Sequence, residues 1–255
     1  MRTISKFKRI AAVSALLAWG WHAQAAASDL LVAAAASLTN AFTEIGVQFQ
    51  QEHPGTKVLS SFAGSDALAQ QVIQGAPIDV FASADQKAMD KAVQAGNIDE
   101  STRRDFVRNE VVLIVPAANE LKINSVADLK GASVKRVALG NPATVPVGRY
   151  TKAALEHTGN WDTVKRNEIL GQNVRQVLDY VARGEVDAGF VFATDAAIMP
   201  DKVKVVEKLA SPIPVLYPIA LVKRDGRHPL AKDFYDFVFS PKGEAVLAKY
   251  GFSKP

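Results

Sequence analysis

Where the apolar, strand-like runs of this chain turn into helical ones, the turn repeatedly carries a hydroxyl, a side-chain amide, a glycine or a proline, and four such junctions stand out. Ser37 follows the alanines 33–36 and is placed as the N-cap of a helix, the small residues ahead of it letting backbone lie close to a ligand. Gly64, Ser65 and Asp66 form the second junction. In the third, Pro146 stands just ahead of Val147 and Gly148, where its fixed φ is pre-organised for helix initiation. In the fourth, Asn173 is the cap ahead of Val174. A helix start exposes N–H groups without intrahelical acceptors at the positive end of the dipole, so each junction is a small anion site. Singly, each reads as ordinary capping. Four converging on one cleft would hold an oxyanion by neutral N–H and O–H donors.

Catalytic alternatives fall by elimination. His22, His53, His157 and His228 are isolated from one another, and the chain has no Cys, so no metal-ligand spacing is present. His53 and His157 read as helix-end residues, where a partial positive charge suits the terminal carbonyls. Ser65 lacks the flanking glycines of a nucleophile elbow, with Ala63 and Ala67 in their places, which argues against a serine hydrolase. Neither glycine-rich phosphate cradle occurs, so no nucleotide cofactor is expected. The expectation is a binding protein without a cofactor, not an enzyme.

The elements that would position the junctions follow from periodicity. Strand-like runs cover 29–35, 56–62, 78–82, 111–115, 136–139, 188–193 and 213–222. Helical patterns cover 38–52, 66–74, 86–95, 126–129, 147–158, 174–183, 228–239 and 241–250. Their alternation is an α/β pattern. The segment 68–83, an apolar-striped helix, a glycine stop and a buried strand, returns as 174–194. In the second copy Val174, Val177, Leu178 and Val181 share one helical face, and Gly184 stands where a left-handed cap is expected. The repeat implies two lobes of related plan with a ligand cleft between them, at the carboxyl ends of the strands.

The 255 residues are 48% hydrophobic and 22% charged, the profile of a folded chain. Of 30 basic residues, Arg2, Lys6, Lys8 and Arg9 lie in the acid-free first 27 positions; the other 26 balance the 26 acids. A neutral body gives no general hold on nucleic acid or an anionic membrane. The basic start, the apolar run 10–21 and the A-x-A sequence at 23–25 read as a secretory signal over 1–27, too short to span a bilayer. The expected product is exported, with 28–108 plus 217–255 as one lobe and 109–216 as the other.

Six segments carry a more specific likeness: 34–40 (AAASLTN), 60–65 (SSFAGS), 76–85 (APIDVFASAD), 140–148 (GNPATVPVG), 173–175 (NVR) and 249–252 (KYGF). In these the chain resembles the periplasmic molybdate-binding proteins of molybdate ABC transporters, over essentially all of its length after the signal. The resemblance implies a type II periplasmic binding fold that closes over molybdate or tungstate and delivers it to an inner-membrane ABC permease. By the same resemblance the hydroxyl ligands fall on Ser37 and Ser65, and the backbone N–H ligands on Val147 and Val174. The family's tyrosine donor falls on Phe192, which cannot donate; Thr194 or a neighbouring amide is the expected substitute. Asp66 is the one carboxylate placed to accept from a protonated guest, although a first-turn acid favoured by the helix dipole is the simpler reading. Arg149 and Arg175 are expected to point outward, into solvent or between lobes. The protein is expected to be a periplasmic monomer, and receptors for sulfate or phosphate are the nearest alternatives. An enzyme using Ser65 as nucleophile, and the effector domain of a transcription regulator, are more distant ones.

Overall fold

A computed structural model of the chain describes residues 29–255, so the signal expected at 1–27 lies outside the described residues. Among the described residues, ten strands form two five-stranded sheets. The first contains β1 (Leu30–Ala35), β2 (Val58–Ala63), β3 (Val80–Ala82), β4 (Arg104–Asn109) and β10 (Val215–Leu221), in the order β2-β1-β3-β10-β4. The second contains β5 (Val111–Pro116), β6 (Val137–Gly140), β7 (Glu168–Gly171), β8 (Ala188–Phe192) and β9 (Val203–Lys208), in the order β7-β6-β8-β5-β9. The helices are α1 (Thr39–Glu52), α2 (Ser65–Ile73), α3 (Gln86–Gln94), α4 (Pro146–His157), α5 (Trp161–Lys165), α6 (Val174–Ala182), α7 (Ala193–Ala196), α8 (Ala231–Val238) and α9 (Pro241–Lys249).

The two sheets share one plan. In each, the first three strands in spatial order are parallel, and the fourth and fifth are joined antiparallel. The chain leaves the first sheet between β4 and β5, with Glu110 alone between the strands, and returns between β9 and β10. The internal repeat has a structural counterpart: α2 feeds β3 and α6 feeds β8, and β3 and β8 are the central strands of their sheets. Gly75 and Gly184, after α2 and α6, both have positive φ (80° and 67°), which glycine adopts at no steric cost.

Amphipathic faces hold the layers together. Val174, Val177, Leu178 and Val181 of α6 are all buried, each worth roughly 1.5–3 kcal/mol relative to exposure. Across the other lobe, Phe42 and Phe49 of α1 meet Phe106, Phe234 and Phe237 edge to face, with centroids 5.3–6.4 Å apart. Such pairs add to simple burial because each ring edge faces a neighbour's electron-rich surface.

Three strands, β4, β7 and β9, have no counterpart in the periodicity of the chain. All three are sheet edges. Paired on one side only, with charged residues such as Arg104, Asp105, Glu168 and Lys204 among them, they lack the apolar run that marks a central strand. The helix expected at 126–129 is a 3-10 turn, Val126–Lys130, held by a capping box between Ser125 and Asp128. α8 starts at Ala231 rather than 228 because the turn before it is closed by His228, whose Nδ1 accepts from the Leu230 N–H at 3.1 Å.

Candidate ligand-binding site

All four junctions reach the gap between the two sheets. Ser37, Ser65, Val147, Val174 and Phe192 line one cavity there, with Ala35, Gly64, Ala84 and Asn173 among the remaining walls. The gap holds about 200 Å³ of atom-free space, counting solvent at its mouth. Among the described residues, no charged side chain lines it.

Ser37 is not an N-cap. A 3-10 turn, Ala36–Leu38, runs directly into α1, whose cap position is Leu38 and carries no side-chain cap bond. The Ser37 hydroxyl is therefore free of capping and lies 3.0 Å from the Tyr217 hydroxyl. Ser65 is the first residue of α2, after Gly64 at the cap, and its Oγ accepts from the Ala84 N–H at 3.0 Å. Pro146 opens α4 with Val147 next, so the Val147 N–H belongs to the first turn and has no intrahelical acceptor. That turn is pressed onto β6: a Cβ on Gly148 would stand 1.9 Å from the Gly140 carbonyl oxygen, so only glycine allows the approach. Asn173 caps α6 as expected, its Oδ1 accepting from the Gln176 N–H at 3.0 Å, which leaves the Val174 N–H at the open end.

Phe192 ends β8, fully buried, with its ring 6.3 Å from that of Tyr150 and 5.6 Å from that of Tyr217. Of the two expected substitutes, the Thr194 hydroxyl does not reach the cavity. Thr194 is outside the cavity wall, and its Oγ1 accepts from Asn109 Nδ2 at 2.8 Å. The nearby hydroxyl is that of Tyr217, which hydropathy reads only as part of an apolar strand. Its neighbour Asn109, the last residue before the chain crosses between sheets, carries no sequence signal either.

The two arginines take the inter-lobe alternative and not the solvated one. Arg149 on α4 bonds Asp66 and Asp85 of the other lobe, each at 2.6 Å. Arg175 on α6 pairs with Asp195, and its remaining nitrogens reach Asn40 Oδ1 at 2.8 Å and the Ser37 carbonyl at 3.3 Å. Asp66 also pairs with Lys91. Its carboxylate is thus committed to two cations and is absent from the cavity wall, so it offers no acceptor to a protonated guest.

Burial sets the protonation of the groups behind the cavity. It pushes the Tyr217 phenol well above the usual range, and the Asp195 carboxylate adds to the effect. The Tyr150 phenol is raised chiefly by burial as well. Asp195 is pushed up to about 6 by burial, against the pull of Arg175, and its second carboxylate oxygen has no partner among the described residues.

Two sheets of one plan, two crossings and a small uncharged cavity between them define a two-lobed α/β protein of the solute-binding kind, with a cavity between the lobes. The comparisons with known proteins agree. The model of the bacterial extracellular solute-binding proteins matches residues 30–253, and the chain belongs to that family, whose members bind solutes and are not enzymes. The putative ABC transporter substrate-binding lipoprotein YvgL of Bacillus subtilis is 37% identical over 88% of this chain and 86% of its own. The molybdate-binding protein ModA of Escherichia coli is 39% identical over 91% of each chain. Among solved structures, the substrate-binding domain of a putative molybdenum ABC transporter from Clostridium difficile is 32% identical, with a TM-score of 0.68, over 89% of this chain and 99% of that one.

Proposed function

We propose that this chain captures molybdate, and tungstate with it, in the periplasm and delivers it to an inner-membrane ABC permease. In this reading the lobes are 28–108 with 217–255 and 109–216, the protein acts as a monomer, and the ligands are the hydroxyls of Ser37 and Ser65 and the amides of Val147 and Val174. Phe192 supplies an apolar wall where the relatives' pattern expects a donor.

The observation that carries the proposal is the meeting of these residues around one cavity without a charged side chain. Bonds from neutral donors to a charged acceptor are worth about 1.5–3 kcal/mol each. Helix-start amides add a fixed positive potential. A cage of this kind selects by oxygen position and size rather than by charge alone. Molybdate and tungstate hold their oxygens further from the central atom than sulfate does, so a cage fitted to them leaves sulfate under-coordinated. The names of the relatives point to the same ligand.

Titration calorimetry of the mature chain with molybdate, tungstate, sulfate and phosphate tests the proposal. The expected order is molybdate and tungstate tightest, sulfate weaker, phosphate weakest. Sulfate or phosphate binding as tightly as molybdate would move the assignment to that anion, and absence of binding to all four would overturn it.

A further inference from the structure

The hydrogen-bond chain behind Ser37 starts from one backbone N–H. The Glu110 N–H donates to Asn109 Oδ1 at 2.9 Å, which fixes the orientation of that side-chain amide. Its Nδ2 must then donate, and it does so to Thr194 Oγ1 at 2.8 Å and to the Tyr217 hydroxyl at 3.2 Å. A phenol that accepts from Asn109 has its single proton left for Ser37 Oγ, 3.0 Å away. With the bond running in that direction, Ser37 Oγ accepts and its own proton is directed to the cavity that it lines.

We propose that Tyr217, oriented by Asn109, is a positioning residue that holds the Ser37 hydroxyl as a donor toward the bound anion and denies it the role of acceptor. The inference rests on the oxyanion reading and deepens it by adding a basis for selectivity. Ser65 reaches the same polarity by another route, since the donor on its Oγ is the backbone amide of Ala84, which cannot reverse. With both hydroxyl protons turned to the cavity, a fully deprotonated dianion is matched by donors, whereas hydrogenphosphate, of equal charge, brings an O–H that neither serine is turned to meet. A chain of bonds running one way also polarises each member, which strengthens the last donation. The elevated pKa of Tyr217 keeps its proton available throughout the neutral range.

The test is a double-mutant cycle with Tyr217→Phe and Ser37→Ala, read by calorimetry with molybdate and by displacement of bound molybdate with phosphate. Tyr217→Phe keeps the ring, which packs at 5.6 Å on Phe192 and 5.7 Å on Phe252, so the chain should stay folded, with the melting temperature lowered by only a few degrees for the lost buried hydrogen bonds. Molybdate binding should weaken about three- to tenfold in Tyr217→Phe, and by less than about twofold when the same change is made in Ser37→Ala. The preference for molybdate over phosphate should fall in Tyr217→Phe, because Ser37 is then free to accept. Equal weakening for both anions, or the same loss in both backgrounds, would show a packing role and overturn the inference, as would unchanged affinity. A parent chain that binds no oxyanion would instead overturn the function proposed above, and the inference with it.

Discussion

The carbonyl oxygen of Gln172 lies 2.7 Å from the point where a Cβ on Gly64 would stand, so the loops ahead of α2 and α6 touch backbone to backbone across the cleft. The backbone of Gly64, at φ −62° and ψ 138°, suits any residue. Glycine is therefore required by the approach of the lobes and not by the conformation of the turn. Gly64→Ala should leave the melting temperature nearly unchanged while forcing the lobes apart at the rim. Relief of such a contact costs about 1–3 kcal/mol, so calorimetry should show molybdate binding weaker by on the order of tenfold. Unchanged affinity would mean that the closed contact is not made with ligand bound.

Each serine hydroxyl is a separate hydrogen bond to a charged guest. Ser37→Ala and Ser65→Ala should each weaken molybdate binding by roughly tenfold or more. Ser65→Ala should also lower stability by about 1–3 kcal/mol, because the buried Ala84 N–H loses its acceptor. Full affinity in both variants would remove the two hydroxyls from the site.

Phe192 is a wall of the cavity where a donor would add to binding. Phe192→Tyr should tighten molybdate binding by up to about tenfold, the value of one more bond to an anion. Weaker binding would show that the ring edge points instead into its packing with Tyr150 and Tyr217.

Asp195 gives a pH signature. Burial raises its pKa from 3.8 to about 6, so the folded chain binds this proton more tightly than the unfolded one. The contribution is full below the unfolded value and is lost as pH rises through about 6. Unfolding free energies of the parent chain, measured against Asp195→Asn in urea, should fall by on the order of 2–3 kcal/mol between about pH 4 and pH 7. A difference that stays flat would mean the carboxylate is not desolvated.

Much of the site was legible in the chain because helix starts are local. A proline, an asparagine or a Gly-Ser pair ahead of an apolar stripe declares where a helix begins, and the N–H groups it leaves open follow from that alone. The apolar face of α6, its glycine stop and the repeat of α2–β3 as α6–β8 were readable for the same reason. Ser37 lines the cavity but is not the cap that its sequence position suggests, since a 3-10 turn and an α-helix start from similar residues.

What tertiary structure alone decided depends on partners far apart in sequence. Arg149 shows as a charge on a helix, and only the other lobe's Asp66 and Asp85 turn it into a clasp between lobes. Tyr217 meets Ser37 from 180 positions away, and β4, β7 and β9 are strands because a neighbour pairs with one edge of each. Periodicity records which side of an element avoids water. It carries nothing about which polar atom that buried side will face, and here the polarity of the cavity was set by those facing atoms.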